Sequence, residues 1–413
     1  MSSKRQRERK KLKKELLRQA DRVDFNIWIA TILLCCFGVI MVFSVTADTC
    51  GSLAKYNYDS LYTVKRQLRF IFLGLGIMFF IQFASYRVFG RILSFFVYLV
   101  GIGCIFLLKT SMGVSSGGAT RWIQIYGPIK FQVAEIVKLC LIIALACYAQ
   151  QNYKKRGTLK MTLTMWVIGG IPTLLLYKFS NDLSSSVVVF GITFVMSFVC
   201  TKTWKFHVGV AIAGIVLVAM YVASIAANLP SAEEIAELPF RVQRIAAWIA
   251  PERYASSNGF QVLQALYAIG RGGLFGVGLG NSIQKSILPE ADNDMIFSIL
   301  CEEMGALGAA LAIGLLIYLM YQLFRVAISA ETFYGSLLTV GVLAHIGIQS
   351  IINIAVNCSV FPNTGLPLPF FSQGGSSILF LLCELTLVLS VERERVMKQV
   401  QRGVKRREEE AVV

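Results

Sequence analysis

Long runs of apolar residues dominate the chain and are separated by short polar stretches. A helix needs roughly 17–25 apolar residues to cross a hydrocarbon core that is about 30 Å thick. About ten runs approach or reach that length, so the pattern predicts an all-α polytopic membrane protein with about ten transmembrane helices. The runs cover residues 25–45, 70–85, 92–108, 136–149, 161–177, 185–200, 206–227, 295–324, 335–356 and 378–389.

Lys and Arg residues predict the orientation of these helices. Residues 1–24 are densely basic, and residues 390–413 are basic with acidic residues mixed in. Cytoplasmic segments carry an excess of Lys and Arg, so we expect two cytoplasmic tails and therefore an even number of spans. The membrane domain then covers 25–389. Its large extracytoplasmic loop, 228–293, lies between spans seven and eight.

The outer loops carry most of the unusual sequence. Within the large loop, the apolar residues of RVQRIAAWIAPERY recur at helical spacing, which predicts an amphipathic helix on the membrane surface. The same loop contains the glycine-rich stretch GLFGVGLG. Inner loops are short and basic, as orientation alone requires. A protein with this distribution is expected to act on the extracytoplasmic side.

Composition narrows the classes of function. The 413 residues are 55% hydrophobic, and the net charge is +16. The basic excess is concentrated at the predicted cytoplasmic face, which favours contact with anionic membrane lipids and argues against a nucleic-acid partner. Most of the ten cysteines lie in spans, so no disulfide framework is expected. The two histidines, His207 and His345, exclude a His-rich metal site and argue against a Ser-His-Asp triad.

Asp294 is the first candidate for a general base. It ends the acidic segment PEADND and immediately precedes the eighth apolar run, where water meets hydrocarbon. A carboxylate at that position is expensive to desolvate, and its raised pKa would suit proton transfer. The alternative is a helix N-cap, a role that Asn293 or Asp292 could also fill. Among the acidic neighbours, Asp292 and Glu290 are the other candidates for the base.

Other acidic residues have open roles. Glu135 and Lys138 are three residues apart at the outer end of the fourth span, and they form either a local ion pair or a pair that directs Lys138 to an anion. Glu302 and Glu303 lie inside the eighth span, so at least one must face the helix bundle. Asp182 begins the sixth span as a cap or as a cavity group.

Positive charges lie outside, where they are disfavoured. They are either scattered solvated charges or contacts for a polyanion such as a pyrophosphate, and GLFGVGLG could cradle a phosphate or only form tight turns. The outer cations are Arg66, Arg121, Lys130, Arg241, Arg244, Arg253, Arg271 and Lys285.

Four motifs, in order along residues 24–389, resemble the SEDS family of polytopic glycosyltransferases, the group of FtsW, RodA and SpoVE. The family's "KRQ" appears at 65–67, "GAxRWI…FQPSExxK" at 118–138, "PEAHTDFIF" at 289–297 and "LPxxSYGGSS" at 368–377. The chain departs from the family where Val133-Ala134 replaces Pro-Ser and where Gln373 replaces Tyr. The departures remove no charged group. The first span and QKSILPEADND favour the FtsW or SpoVE branch, whereas Pro367 is typical of RodA.

The resemblance implies polymerisation of lipid II at the outer face of the bacterial cytoplasmic membrane. The C4 hydroxyl of an acceptor sugar would attack the undecaprenyl-pyrophosphate-linked glycan with inversion. Asp294 would be the base, and Arg66, Arg121 and Lys138 would contact the pyrophosphate, with Glu135 orienting Lys138. The other expected substrate contacts are Arg241, Arg244, Gln261, Lys285, Glu290 and Ser376.

The resemblance also implies partners. Family members act with a single-span class B penicillin-binding protein, a transpeptidase, and with other divisome or elongasome proteins. No protein metal site is expected. Mg²⁺ or another divalent cation is compatible with carboxylate and pyrophosphate oxygens, although no sequence feature demands one.

Two other functions compete with this one. A lipid II flippase would use polar residues inside spans, such as His345, Gln349 and Asn353, but the chain shows no inverted repeat. A non-enzymatic scaffold for a transpeptidase would leave Asp294 without a role. Within the enzymatic reading, a RodA-type elongation polymerase is the alternative to the FtsW type.

Overall fold

The computed structural model describes residues 25–52, 59–116, 119–126, 129–231 and 233–410, so the predicted basic tail 1–24 lies outside it. Each predicted apolar run corresponds to an α-helix. The helices are α1 (Phe25–Ser52), α2 (Tyr62–Ile81), α3 (Arg91–Leu107), α4 (Val133–Gln151), α5 (Leu159–Ser180), α6 (Leu183–Cys200), α7 (Trp204–Ala227), α8 (Phe240–Ile249), α9 (Asn258–Gly272), α10 (Ile296–Ser329), α11 (Phe333–Asn357) and α12 (Gly375–Glu410).

The helices form a multi-pass membrane protein. In the described chain, eight helices are long and apolar enough to span a bilayer. The shorter α3 and the more charged α2 stand where the third and second spans were predicted. Helix α7 buries only His207 and Ile225, so nearly its whole apolar surface faces outward, as lipid contact requires. The helical fold class is confirmed, and the count of ten spans stays a prediction.

Ion pairs show which loops share a face of the bundle. Arg87, between α2 and α3, pairs with Glu394 on the last helix. Arg402, further along that helix, pairs with Glu331 between α10 and α11 at 2.8 Å. These loops are the ones that the charge pattern predicts to be cytoplasmic. Helix α12 continues to Glu410, so the predicted tail boundary at residue 390 falls inside one helix.

A small antiparallel sheet, which the sequence pattern did not predict, lies between α3 and α4. Its strands are β1 (Gly113–Ser116), β2 (Ala119–Tyr126) and β3 (Ile129–Gln132), in the order β1-β2-β3. Trp122 on β2 pairs with Val114 on one side and with Gln132 on the other. Because β3 runs directly into α4, the sheet fixes the outer end of that helix.

The glycine-rich loop after α9 packs against a kink in α10. Gly305 adopts φ +65° there, and a Cβ atom on it would lie 2.4 Å from the main-chain nitrogen of Gly276. The buried carboxylate of Glu302 accepts from Arg271 Nη1 at 2.7 Å, and that of Glu303 accepts from the amide of Gly280 at 3.1 Å. The amides of Val277 and Gly278 also donate to the carbonyls of Glu302 and Glu303, so α10 engages amides of this stretch, and the structure favours the tight-turn alternative over a phosphate cradle. The two glutamates hold this loop.

The rest of the large outer loop is also folded. Helix α8 occupies the segment predicted as an amphipathic helix. Its Ala246 and Ala247 pack with Ile225 and Tyr254, all of them buried. The Tyr254 hydroxyl donates to the carbonyl of Pro230 at 2.7 Å, which ties the middle of the loop to its beginning. The loop is thus folded, and its helices α8 and α9 lie over the helix bundle.

Candidate active site

Asp294 lies just before α10 and is buried, with 4% of its surface exposed. Its main-chain carbonyl accepts hydrogen bonds from the side-chain amides of Asn353 and Asn357 on α11, each 2.8 Å long. Its carboxyl oxygen Oδ1 is buried and has no hydrogen-bond partner among the described residues. A buried polar atom without a partner is unfavourable for folding and is typical of a group that acts on a ligand.

The Asp294 side chain makes no helix-capping hydrogen bond in this structure, so the alternative role as a cap is not supported. Helix α10 begins at Ile296, and its N-cap residue Met295 makes no side-chain cap. Asn357 Oδ1 instead accepts from the amide of Ser298 at 3.1 Å. Helix α11 thus supplies the cap, and the Asp294 carboxyl group is left out of it.

The loop before Asp294 is held by a tight turn and by apolar anchors. Glu290 adopts φ +57°, and its carbonyl accepts from the amide of Met295 at 3.2 Å. Leu288, Ala291 and Met295 are buried together in one apolar cluster. With these side chains directed inward, the turn fixes the main chain of Asp294 without using its carboxyl group.

Burial, and after it the nearby carboxylate of Glu290, raise the pKa of Asp294 to about 7. The guanidinium groups of Arg244 and Arg121 act in the opposite direction on this pKa. A general base is most effective when its pKa is near the working pH, because it is then ionised and still accepts a proton readily. The site therefore gives Asp294 the property that the sequence predicted.

Arg121 reaches the site from strand β2. Its Nε lies 3.3 Å from Asp182 Oδ2. Asp182 is the N-cap of α6, and it accepts from the amide of Ser185 at 3.2 Å and from its hydroxyl at 2.7 Å. Of the two roles left open for Asp182, the cap is present, and the same carboxylate also pairs with Arg121. The Asp182 carboxylate, which caps α6, thereby orients the guanidinium of Arg121.

Arg244 reaches the site from α8. Its Nη1 donates to the carbonyl of Asn363 at 3.2 Å. The Asn363 side chain in turn donates to Gln261 Oε1 at 2.7 Å, and Gln261 Nε2 donates to the carbonyl of Pro289 at 3.2 Å. Burial lowers the pKa of Arg244, and the charge of Asp294 opposes that effect. The contacts thus connect Arg244 and Gln261 to the loop that carries Asp294.

Arg66 enters from the first turns of α2. When the Gln373 amide is oriented so that each of its two ends faces a complementary group, Arg66 Nη2 donates to its oxygen at 3.0 Å and its nitrogen donates to Asp292 Oδ2. Burial raises the pKa of Asp292, the carboxylate of Glu290 raises it further, and Arg66 opposes both. Arg66, an outer cation on α2, is therefore linked through Gln373 to Asp292, which lies two residues before Asp294 on the same loop.

Lys138 and Glu135 belong to a separate, buried layer. Lys138 Nζ contacts Glu135 Oε1 at 2.7 Å, His345 Nε2 at 2.7 Å and Gln349 Oε1 at 2.9 Å. His345 Nδ1 contacts Glu384 Oε2 at 2.7 Å. An ammonium group has three donors, and all three point to these partners. The expectation of a direct pyrophosphate contact by Lys138 is thus not met, although Glu135 does hold Lys138 as expected.

This buried layer lies one turn of α11 away from the residue that holds Asp294. Gln349 Nε2 donates to the carbonyl of Pro367 at 3.0 Å, and Asn353, four residues later on α11, holds the carbonyl of Asp294. A cavity of about 20 Å³, room for a single water molecule, lies between Glu135, His345 and the loop before α12. The layer therefore supports the loops around Asp294 through its contacts with α11 and with the loop before α12.

Three expected substrate contacts lie elsewhere or have another partner. Arg241 lies over the ring of Tyr177 at 4.6 Å, on the outer end of α5. Lys285 Nζ donates to two main-chain carbonyls, at 2.8 and 3.3 Å, in the glycine-rich loop and α1. Ser376 is buried at the start of α12, and its hydroxyl has no hydrogen-bond partner in the described chain. The described contacts do not connect these three residues to Asp294.

Sequence reasoning missed several residues that build the site. Asn357 and Asn363 hold Asp294 and Arg244, and neither stands out in its segment. Glu384 carried a signal, since a carboxylate inside an apolar run is expensive and is seldom kept without a role. The described residues contain no group of three or more His, Cys, Asp or Glu side chains placed to hold a metal ion.

Comparison with known proteins identifies the family. Residues 24–397 match the family model FtsW/RodA/SpoVE, described as "Cell cycle protein". The stage V sporulation protein E of Bacillus subtilis is 34% identical over 382 residues, covering 90% of this chain and 97% of that protein. The "Probable peptidoglycan glycosyltransferase FtsW" of Saccharophagus degradans is 34% identical over 383 residues, covering 90% and 93%.

Solved structures give the same result. A chain from a peptidoglycan synthase complex, described for its coordination of polymerization and crosslinking, superimposes with a TM-score of 0.71 at 26% identity, covering 91% of this chain and 98% of that one. The rod shape determining protein RodA of Thermus thermophilus superimposes with a TM-score of 0.61 at 25% identity, over the same shares of the two chains. The motifs, the fold and these relatives agree, and the chain belongs to the FtsW/RodA/SpoVE family of cell cycle proteins.

Proposed function

We propose that this protein is an inverting peptidoglycan glycosyltransferase that polymerises lipid II at the outer face of the bacterial cytoplasmic membrane. The observation that carries the proposal is Asp294: a buried carboxyl group with an unpartnered oxygen and a pKa of about 7, in the field of Arg121 and Arg244. The names of the relatives, FtsW and SpoVE, favour the branch that serves division or spore wall synthesis.

The geometry supports the following reaction. Asp294 takes the proton from the C4 hydroxyl of the acceptor sugar as the oxygen attacks the anomeric carbon of the donor. The bond to the undecaprenyl pyrophosphate breaks, and the leaving group departs with the electron pair. A pyrophosphate needs charge stabilisation more than a proton, so one carboxylate base and several cations suffice. Arg66, Arg121 and Arg244 are the cations that the site provides.

We also propose that a divalent cation binds together with the substrate. Asp294 and pyrophosphate oxygens are ligands that Mg²⁺ accepts, and the ion would enter together with the pyrophosphate. Polymerisation of lipid II with EDTA, and then with added Mg²⁺, tests this. A rate that falls with EDTA and returns with Mg²⁺ supports the proposal, and an unchanged rate contradicts it.

A class B penicillin-binding protein is the proposed partner. The support is the likeness to the chain from the synthase complex, which is described as coordinating polymerization with crosslinking. We also propose contacts with other divisome or elongasome proteins and with membrane lipids.

The experiment compares purified wild type with Asp294→Asn, each supplied with lipid II and a class B partner. Wild type should form glycan polymer, and the variant should lose activity by about two to four orders of magnitude, the usual contribution of a general base. Glu252→Gln, an exposed carboxylate in the same outer loop, is the matched control. Polymer from Asp294→Asn at the wild-type rate would refute the assignment of the base.

The same preparation tests the flippase alternative. If neither protein forms polymer while both move lipid II across vesicles, the transporter function replaces this proposal. The structure gives that alternative little support, because Glu302 and Glu303 hold the glycine-rich loop and His345 and Gln349 bind Lys138.

A further inference from the structure

Gln373 joins three segments that are far apart in the sequence. Its main-chain amide donates to the carbonyl of Asp292 at 2.7 Å, and the hydroxyl of its neighbour Ser372 donates to the carbonyl of Asn293. The next amide, that of Gly374, donates to Gln67 Oε1 at 3.4 Å on α2. The loop before α12 is therefore attached both to the loop that carries Asp294 and to the helix that carries Arg66.

The side chain of Gln373 lies between opposite charges. A guanidinium only donates and a carboxylate only accepts, whereas a primary amide does both. Of the two orientations of the Gln373 amide, only one gives both ends a complementary partner: its oxygen then accepts from Arg66 Nη2 at 3.0 Å, and its nitrogen donates to Asp292 Oδ2. Arg66 and Asp292 thus meet through a neutral group.

This arrangement has a consequence for the charge of Arg66. Without the amide, Arg66 and Asp292 could approach each other and form a direct ion pair. Such a pair would use the guanidinium donors and neutralise the positive charge. Arg66 needs its free donors and its charge to bind an anionic substrate. Asp292 is mostly buried, and burial already disfavours its charged form. A neutral bridge therefore preserves the cation for a ligand.

We propose that Gln373 is a positioning residue that keeps Arg66 apart from Asp292, so that the guanidinium remains available to the pyrophosphate of the lipid-linked substrate. The inference rests on the proposed function. It concerns a position at which this chain departs from the tyrosine of the motif that it resembles. A tyrosine hydroxyl can also accept and donate, so the same bridge is chemically open to it.

The test begins with Gln373→Met, which keeps the length of the side chain and removes both hydrogen bonds. Arg66 can then pair with Asp292, and the KM for lipid II should rise about tenfold, the effect of losing one charge-assisted contact, with a smaller change in kcat. Gln322→Met is the matched control: Gln322 is buried and, like Gln373, accepts from an arginine, Arg325 Nη1, at 2.9 Å, but it lies on α10. This control should keep the wild-type KM.

The decisive variant is Gln373→Met combined with Asp292→Asn. If Gln373 protects Arg66 from Asp292, removing the charge of Asp292 releases Arg66 and restores KM to within about twofold to threefold of the Asp292→Asn single variant. Gln373→Tyr should likewise stay near wild type. If the double variant is as impaired as Gln373→Met, or if Gln373→Met has the wild-type KM, the inference is overturned.

A binding measurement separates this inference from the proposed function. The probe is undecaprenyl pyrophosphate in detergent micelles, and the readout is the rise in Tm on binding. Wild type should be stabilised, Gln373→Met should lose most of that rise, and the double variant should regain it. These results would support the inference even if wild type formed no polymer, in which case only the proposed function would fail. An equal rise in all variants would reject the inference alone.

Discussion

The side-chain amide of Asn357 donates to the main-chain carbonyl of Asp294 at 2.8 Å, while its oxygen accepts from the amide of Ser298 at 3.1 Å. One side chain on α11 therefore holds the candidate base and caps the first turn of α10. Because Asn357 does not touch the carboxyl group itself, its effect on catalysis should come through position.

We expect Asn357→Leu to lower both stability and activity. The variant removes one of the two side-chain donors to the Asp294 carbonyl and the buried acceptor of the Ser298 amide and hydroxyl, which should reduce the free energy of unfolding by about 1–3 kcal/mol. Displacement of Asp294 should lower kcat by about tenfold or more. Thermal unfolding and lipid II polymerisation measure the two effects. Asn152→Leu is the control, since Asn152 donates to the carbonyl of Tyr148 at 3.0 Å at the other end of the bundle. Unchanged kcat in Asn357→Leu would contradict the positioning role.

The pH dependence of kcat should report the ionisation of Asp294. A base must be deprotonated, so the rate should rise with pH through about 7, the pKa of Asp294, and then level off. Glu290→Gln removes a charge that raises this pKa, and the rise should move to lower pH. Arg244→Gln removes a charge that lowers the pKa, and the rise should move to higher pH. Shifts in the same direction for both variants would contradict the assignment.

The raised pKa also predicts an effect on stability. Asp294 has a higher pKa in the folded state than the value of about 3.9 in an unfolded chain. Its contribution to stability is therefore fully present below about pH 4 and is lost as pH rises through about 7. Asp294→Asn should thus have a higher Tm than wild type at pH 8 and a similar Tm at pH 4. A lower Tm at pH 8 would indicate that the carboxylate stabilises the fold instead.

Arg121 should bind the substrate through its guanidinium geometry. Arg121→Gln should raise KM and lower kcat/KM by about tenfold to a hundredfold, because it removes a charged contact to the pyrophosphate. Arg121→Lys should restore little, since a lysine cannot reproduce a planar guanidinium whose Nε lies against Asp182. Arg253→Gln, an exposed cation of the same outer face, is the control. Full activity of Arg121→Lys would show that charge alone suffices.

Lys138 should act through the fold and not through the substrate. Lys138→Met leaves Glu135 and Glu384 buried near each other without the cation, and loss of one partner from a buried pair costs about 3–5 kcal/mol. We expect a marked fall in Tm. The combined change Glu135→Gln with Lys138→Met should be much less destabilising. If Lys138→Met kept its Tm and raised KM for lipid II, the original expectation of a direct contact would be reinstated.

The hydrophobic pattern predicted the helices well because lipid solvation is a local property of the sequence. Each apolar run corresponds to a helix, and the loops at Arg87 and Glu331, which the predicted topology puts on the same side, both pair with the last helix. The start of α2 was placed too late, at residue 70, because Lys65, Arg66 and Arg69 interrupt the apolar run. Those charges are compatible with a helix whose first turns lie outside the membrane.

The small sheet between α3 and α4 was missed for a different reason. Its strands are short, and their pairing depends on partners in the same loop. The sequence of this loop therefore shows no hydrophobic period that predicts them. The result matters for the site, since the sheet carries Arg121 to Asp182. The resemblance to family motifs indicated Arg121, but not how it is held.

The sequence by itself determined the membrane class, the family, and Asp294 as the carboxylate to test, and it predicted the orientation, because hydrophobic length, ordered motifs and loop charge are all local. Only the tertiary structure decided which charged groups meet. It assigned Lys138 to a buried network, Glu302 and Glu303 to the glycine-rich loop, and Arg66 to an amide bridge. Charges act over a few ångströms, and residues that are hundreds of positions apart come within that distance only when the helices pack.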